Sequence, residues 1–204
     1  MDEQVVAATR RSLHAVAESV LAGPQYRTDG TIRLQVTAGG FGQVKGPLRV
    51  EATELVGAGV RVPLRGTVAD LAAAVGVEPG PPADLYSDHA DLDPGADLAV
   101  DPSAAALLLD WFARGDAGMR RFAPEAVPVL WPEHFDLGIA VDEVNYGVSP
   151  GDAGRSAPYA YVGPWTPRTG PFWNAPFGAV RSADDLPDAD AVAAFFAEGR
   201  AAAR

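Results

Sequence analysis

The stretch TIRLQVT, residues 31–37, alternates strictly between apolar and polar side chains. Its apolar side chains, which share one face of an extended chain, are Ile32, Leu34 and Val36. This period of two residues is typical of a β-strand with one buried face. The same alternation returns in residues 47–53 (PLRVEAT) and 60–64 (VRVPL), and Gly-rich turns separate the three segments. Together they predict an antiparallel meander with one solvated face.

Four helices are predicted around the strands. In residues 5–21 apolar side chains recur at helical spacing, and the Gly-Pro pair at 23–24 is expected to end that helix. Residues 67–75 (TVADLAAAV) begin with a threonine that has an aspartate three residues later, a pattern typical of a capped N-terminus. Asp101, which precedes a proline, is the expected N-cap of a third helix, and the last helix is expected to begin at about Asp188.

Further strands are predicted in the second half of the chain. Residues 134–142 (HFDLGIAVD) alternate again, which would place His134 and Asp136 on the polar face of one strand. More strands are expected in VNYGV (144–148), PYAYVG (158–163) and FWNAPFGAV (172–180). In the second of these segments the alternation sends Tyr159 and Tyr161 to the same face.

The expected fold class is α+β, with antiparallel sheet covered by helices. A chain of 204 residues fits a single domain, residues 1–204. The order of elements is also compatible with an internal duplication of a helix–three strands–helix unit, with halves 1–76 and 102–204. The connection between these halves, residues 77–101, is rich in Pro, Gly and Asp and shows no helical or strand period.

Composition limits the partners that this chain can have. A formal net charge of −11 works against nucleic acid, because phosphates are bound by Lys and Arg. The chain has no cysteine, which excludes disulfides, thiolate metal sites and cysteine nucleophiles. It begins without a signal-peptide pattern, and no apolar run approaches the ~20 residues of a membrane-spanning helix. We therefore expect a cytoplasmic protein with no nucleic-acid or membrane partner, and no cofactor is assigned.

Residues 147–151 (GVSPG) match the G-x-S-x-G pattern of a serine hydrolase's nucleophile elbow. In that motif the backbone N–H of the residue after the serine helps to form the oxyanion hole, and a helix follows. Here that residue is Pro150, which has no N–H, and the next residues have the composition of a turn. We therefore interpret Ser149 as a turn residue and assign no catalytic residue.

Aromatic residues are concentrated in the second half of the chain. Of the 17 Phe, Trp and Tyr residues, only Tyr26, Phe41 and Tyr86 precede Trp111. Aromatic rings with a few fixed polar groups are what a small-molecule pocket needs, although the same rings could pack the core of a compact sheet. The first interpretation predicts a pocket for a small polar or aromatic ligand. Its expected lining is Trp131, His134, Asp136, Asn145, Tyr146, Asp152, Tyr159, Tyr161, Trp165, Trp173 and Asn174.

Two other functions are compatible with the same residues. His134 and Asp136, on one strand face, could serve a metal-assisted hydrolase or a similar enzyme, although no metal ligand is assigned. The aromatic side chains could instead form a protein-interaction module. The sequence leaves open whether the protein is an enzyme, which ligand it binds and what its oligomeric state is.

Several segments, in their order along the chain, resemble a known family. They are LQVTAGGF (34–41), FDLGIAV (135–141), PYAYVGPW (158–165) and FWNAPFGAV (172–180). They are similar to an uncharacterised bacterial family, common in actinobacteria and known only as a domain of unknown function. Its members share a Phe-Asp-Leu strand, here residues 135–137, and a Tyr-x-Tyr strand, here residues 159–161. Members place a histidine before the tryptophan, whereas His134 follows Trp131 here. The resemblance covers nearly the whole chain and implies one domain, without implying an activity.

Overall fold

The computed structural model describes residues 1–57, 59–82, 85–86, 89–90, 93 and 95–204. The fold is α+β, and its strands pair antiparallel. The helices are α1 (Glu3–Val16), α2 (Gly23–Asp29), α3 (Val68–Val75), α4 (Pro102–Phe122) and α5 (Ala189–Ala202). The strands are β1 (Leu34–Thr37), β2 (Gly40–Gln43), β3 (Arg49–Glu51), β4 (Glu54–Gly57), β5 (Val60–Pro63), β6 (Val129–Trp131), β7 (Asp136–Val141), β8 (Val144–Ser149), β9 (Tyr159–Pro164) and β10 (Ala179–Ser182). A π-helical segment, Ala17–Ala22, joins α1 to α2, and a 3₁₀ turn, Ala183–Asp185, follows β10.

The chain divides into two compact units. The N-terminal unit comprises Met1–Asp110 and Leu130–Phe135, and the C-terminal unit comprises Trp111–Val129 and Asp136–Arg204. Residues 1–76 and residues 102–204 each follow the order helix, five strands, helix. Each half therefore contains five strands among its described residues, where the sequence predicts three in the first half and three or four in the second, and an internal duplication stays a prediction.

The first five strands form an antiparallel meander, in which β2 and β4 lie between the three predicted strands. They pair in sequence order, and β1 also pairs with β6 through Leu34 and Leu130. Leu34 and Val50 are buried, as the alternation predicts. The sequence does not predict β2, because the glycines of GGFGQ usually indicate a turn. A Cβ atom on Gly40 would overlap the backbone of Val50, so glycine is needed here for the close approach of β2 and β3.

The first helix is expected to end at the Gly-Pro pair. In the structure the helical course continues to Asp29. Pro24 has no N–H to donate, and the change to π-type pairing just before it lets the chain keep a helical course. The buried side chain of Gln43 donates to the carbonyl oxygen of Leu21 at 2.9 Å and so supplies a partner from outside the helix. Helical continuation past Pro24 therefore depends on packing that a local pattern does not reveal.

The other predicted helix starts are confirmed. Thr67 and Asp70 form a reciprocal capping box at the start of α3. Oδ1 of Asp101 accepts two backbone N–H groups in the first turn of α4. Asp188 caps α5 in the same way, through the N–H of Ala191.

The connection 77–101 contains neither helix nor strand among its described residues, as predicted. Its positions 83–84, 87–88, 91–92 and 94 lie outside the described residues. Buried polar side chains of α1 and the π segment accept backbone N–H groups from it: Thr9 from Asp101 at 3.1 Å, Ser12 from Ala99 at 2.9 Å, and Glu18 from Ala90 at 2.9 Å. An irregular segment is thus tied to a helix by side chain–backbone hydrogen bonds.

In the C-terminal unit, β7 to β10 pair in sequence order. The strand predicted over residues 134–142 begins only at Asp136, because residues 132–135 form a turn. Phe135 adopts a left-handed backbone conformation, φ 51°, and its buried ring stacks on His14 at 5.3 Å. His134 is therefore not on the strand, and the prediction that it shares a strand face with Asp136 is wrong. Of residues 172–180, only the last two belong to a strand, β10.

Candidate functional site

One face of the C-terminal sheet is buried beneath helices. Leu137, Val148 and Val162 of this face are fully buried. Glycines allow the helices to approach closely: a Cβ atom on Gly115 of α4 would overlap Val148, and one on Gly199 of α5 would lie 2.8 Å from the Val162 side chain. This face is therefore core, and ligand contacts must be sought on the other face.

The opposite face carries the alternate residues of the same strands. The register aligns Gly138, Gly147 and Tyr161 across β7, β8 and β9. A Cβ atom on Gly147 would overlap the Tyr161 ring, and one on Gly138 would lie 3.2 Å from the phenolic oxygen. The Tyr161 side chain therefore lies across both glycines, and its hydroxyl donates to Oδ2 of Asp136. Glycine at two aligned positions is what lets the ring lie on the sheet.

The two tyrosines of β9 donate to carboxylates and lie on one face, as predicted. Tyr159 donates to Oδ2 of Asp152 at 2.5 Å, and Oδ1 of Asp152 accepts the N–H groups of Gly154 and Arg155. Burial, reinforced by Asp152, raises the pKa of Tyr159 to about 12. Burial and Asp136 raise the pKa of Tyr161 well above its ordinary value. Both phenols therefore stay protonated at neutral pH and act as hydrogen-bond donors.

Two large aromatic side chains are exposed, one just after β9 and one just before β10. Trp165 is 63% exposed and Phe177 is 53% exposed. The Nε1–H of Trp165 donates to Oδ1 of Asn145 at 3.1 Å, which holds an exposed ring in a defined orientation. Phe177 meets Tyr161 edge to face, with ring centroids 6.5 Å apart.

The row of the register next to Tyr161 carries short side chains. Ala140, Asn145 and Gly163 are aligned across β7, β8 and β9, and the first two are exposed. The aromatic rings of this surface thus share the sheet face with a row of short side chains. We name this surface the Tyr161 face and define it as Asp136, Asn145, Tyr159, Tyr161, Trp165 and Phe177.

Six of the predicted ligand-binding residues lie on this face of the sheet or bond to a residue of it: Asp136, Asn145, Asp152, Tyr159, Tyr161 and Trp165. The structure places Tyr146 on the buried face instead, because Tyr146 alternates with Asn145 along β8. The ring of Tyr146 is fully buried and packs against Phe122 and Phe196, at centroid distances of 4.6 and 5.7 Å. Tyr146 is therefore a core residue.

Trp131 and His134 belong to the N-terminal unit. The guanidinium of Arg33 lies over the Trp131 ring, 5.9 Å from its centroid. Nδ1 of His134 lies 3.2 Å from Oε1 of Glu133. Neither residue is part of the Tyr161 face.

Trp173 and Asn174 lie in the irregular segment before β10. The Asn174 side chain accepts from the backbone N–H of Val180 at 2.8 Å and donates to its carbonyl oxygen at 3.0 Å. Trp173 meets Phe172 edge to face at 4.9 Å. Asn174 therefore ties this segment to β10, and its amide is used within the fold.

Ser149 is the last residue of β8, and its hydroxyl accepts the N–H of Gly151 at 3.2 Å. Its carbonyl oxygen accepts the indole N–H of the buried Trp111 at 2.9 Å. An irregular segment follows it, where a nucleophile elbow would have a helix. Ser149 is therefore a strand residue and not the expected turn residue, and its hydroxyl bonds to the bend that follows it.

Sequence reasoning missed Phe177 and the two glycines beneath Tyr161. Gly138 and Gly147 carry no functional group, so only the strand register reveals that both lie under one ring. Phe177 follows a proline in a segment that is predicted to be a strand, and this prediction does not indicate an exposed ring.

Among the described residues, no group of three or more His, Cys, Asp and Glu side chains is arranged to hold a metal ion. Within the same part of the chain, no helix has the length and apolar character to cross a membrane. No family model, no curated protein and no solved structure matches the chain. The resemblance to an uncharacterised bacterial family therefore stays a prediction.

Proposed function

We propose that the C-terminal unit binds, without covalent chemistry, a small polar ligand that has a flat apolar or aromatic side, such as a sugar ring or an aromatic amine. The ligand would stack on the Tyr161 face. The observation that carries this proposal is the exposed Trp165 ring, which a hydrogen bond holds to Asn145 on the sheet face that also carries Tyr161. The proposal thus follows the first of the three functions compatible with the sequence.

Exposure of Trp165 and Phe177 leaves large apolar rings in water, where burying an apolar side chain would yield roughly 1.5–3 kcal/mol. A ligand that stacks on such rings recovers part of this free energy. The Trp165 ring is also oriented by a hydrogen bond, so less side-chain entropy is lost on binding than with a free side chain. These two properties favour a ligand-binding surface over a merely solvated one.

The negative charge of the protein limits the kinds of ligand that we expect at the Tyr161 face. Asp136 and Asp152 supply carboxylates next to the tyrosine hydroxyls, and the chain carries a formal net charge of −11. An anionic ligand would meet like charge at this surface. We therefore expect neutral polyhydroxylated ligands and aromatic amines to bind in preference to aromatic acids.

The test is a titration with defined probes: a methyl glycoside, tryptamine and indole-3-acetate. We expect tryptamine or the glycoside to raise the melting temperature and to give a saturable heat in calorimetry, and indole-3-acetate to do neither. Trp165→Ala should weaken that binding by about tenfold or more, the loss of roughly 1–3 kcal/mol of stacking.

The matched control is Val127→Ala, which also truncates a strongly exposed apolar side chain of the same unit. It should bind each probe as the unmodified protein does. Equal binding by Trp165→Ala and Val127→Ala, or no saturable binding of either favoured probe, would contradict the proposal.

A further inference from the structure

The chain has three histidines, and the N-terminal unit gives each a different environment. His14 donates from Nε2 to the carbonyl oxygen of Pro132 at 2.6 Å and stacks on Phe135, and burial lowers its pKa. The His134 side chain is 59% exposed, and its partner Glu133 is partly exposed as well. His14 is thus a core residue, and His134 forms an exposed pair with Glu133.

His89 instead meets a buried carboxylate. Its Nδ1 lies 2.7 Å from Oε1 of Glu18, whose side chain is only 3% exposed. Oε2 of the same carboxylate accepts the N–H of Ala90 at 2.9 Å. A carboxylate accepts, so Nδ1 carries a hydrogen, and in the neutral tautomer with this arrangement Nε2 keeps its lone pair. The imidazole is 41% exposed, which leaves it open to small molecules from solvent.

Anchoring the connection does not by itself require a charge at position 18. Thr9 and Ser12 hold backbone N–H groups of the same connection with neutral hydroxyls. A buried carboxylate costs several kcal/mol unless a partner compensates its charge. The Glu18 carboxylate accepts a hydrogen bond from the imidazole of His89 and also acts on the hydroxyl of Tyr86. The carboxylate at position 18 therefore bonds to polar side chains of the connection as well as to its backbone.

Two further features of this cluster are typical of a chemical site. Glu18 lies in the π-helical segment, and π-helical turns occur frequently at functional sites. The ring of Tyr86 lies 5.2 Å from the ring of His89. Burial, with the charge of Glu18, raises the pKa of Tyr86, so its hydroxyl keeps its hydrogen at neutral pH. A base and a protonated hydroxyl therefore lie close together.

We propose that Glu18 and His89, in the N-terminal unit, form a general-base dyad for the hydrolysis of small esters. Nε2 of His89 takes a proton from water while the water oxygen bonds to the ester carbonyl carbon. The ester C–O bond then breaks, and the alcohol leaves with its electron pair and takes the proton from Nε2. The products are the acid and the alcohol. Glu18 is the positioning residue, which orients the ring and stabilises the imidazolium.

The test uses the full chain and p-nitrophenyl acetate as the probe ester. We expect His89→Gln to lower the rate above buffer by about 10²-fold, the lower end of what a positioned base contributes. Glu18→Gln, which can still accept from Ala90, should also lower it. His134→Gln, the matched control, removes the exposed histidine and should leave the rate unchanged. A slower reaction of the unmodified protein in D₂O is expected for proton transfer in the rate-limiting step.

An unchanged rate in a folded His89→Gln, or equal losses in His89→Gln and His134→Gln, would overturn the dyad. If His89→Gln does not fold, the proposal is tested on the unmodified protein. Its histidines are labelled with diethyl pyrocarbonate, and mass spectrometry measures the modification of His89. Loss of activity in step with modification of His89 supports the dyad. Complete modification of His89 with the rate retained refutes it.

Discussion

The two units use their polar side chains differently. In the N-terminal unit, buried polar residues bond to backbone: Thr9, Ser12, Gln25 and Gln43 all do so. In the C-terminal unit, polar groups of the Tyr161 face bond to other side chains, as in Asp136 with Tyr161 and Asn145 with Trp165.

Polar side chains that bond to the backbone stabilise the fold, whereas those that bond to one another form a surface. A side chain that satisfies a buried backbone group stabilises an irregular segment and is hidden from solvent. Side chains that bond to one another at a partly exposed sheet face are held in fixed orientations where a ligand can reach them. Among the buried polar residues that the structure describes in the N-terminal unit, Glu18 differs, because it bonds to a backbone group and to the side chain of His89.

The largest effect is expected in the N-terminal unit, for Gln43→Ala. The change removes the donor to the Leu21 carbonyl and the acceptor of the Leu48 N–H, both buried. Leaving a buried polar group unpaired costs about 1–3 kcal/mol, so we expect a loss of about 3 kcal/mol in the free energy of unfolding. Urea denaturation measures it. Gln35→Ala, at an exposed position of β1, should cost far less, and a similar cost at both positions would contradict the stabilising role given to buried side chain–backbone hydrogen bonds in this unit.

The next effect is expected at Gly147 in the C-terminal unit. A Cβ atom there overlaps the Tyr161 ring, so Gly147→Ala should displace the ring and cost about 1–3 kcal/mol, as overpacking does. It should also weaken probe binding at the Tyr161 face. In the next row of the face, a Cβ atom on Gly163 meets its nearest atom at 3.6 Å, an ordinary contact. Gly163→Ala is therefore the control for stability, and equal destabilisation by both changes would show that the ring does not lie across Gly147.

A smaller effect is expected from pH. The folded state raises the pKa of Tyr159 from an ordinary value near 10 to about 12, so it binds this proton more tightly than the unfolded state does. The resulting stabilisation is complete below pH 10 and is lost as the pH rises from 10 through 12. Denaturation at a series of pH values should show this fall, and Tyr159→Phe should make it shallower. A stability of the unmodified protein that rises over this range would contradict the account.

Much of the fold follows from local patterns in the sequence. Strict alternation predicts β1, and the side chains of Thr67 and Asp101 predict where α3 and α4 begin. Two features escape such patterns because their causes are distant in the sequence. The helix passes Pro24 where π-type pairing intervenes, and β7 begins late because Phe135 packs against His14 in a left-handed conformation.

The sequence predicts only part of the candidate site, again because some of the contacts join residues that are distant in the sequence. Alternation correctly places Tyr159 and Tyr161 on one face. It also places Tyr146 on the other face, yet composition alone groups all three rings as pocket lining. The roles of Gly147 beneath a ring and of Glu18 beside His89 require the three-dimensional register, since neither lies near its partner in sequence.

The central claim is that the Tyr161 face binds a ligand through Trp165. The most direct test follows the four indole N–H signals in ¹H–¹⁵N NMR spectra while tryptamine or a methyl glycoside is added. The account predicts a saturable shift of the Trp165 signal, with the signal of the buried Trp111 unchanged. A Trp165 signal that stays in place at saturating probe, or a uniform shift of all four signals, would contradict it.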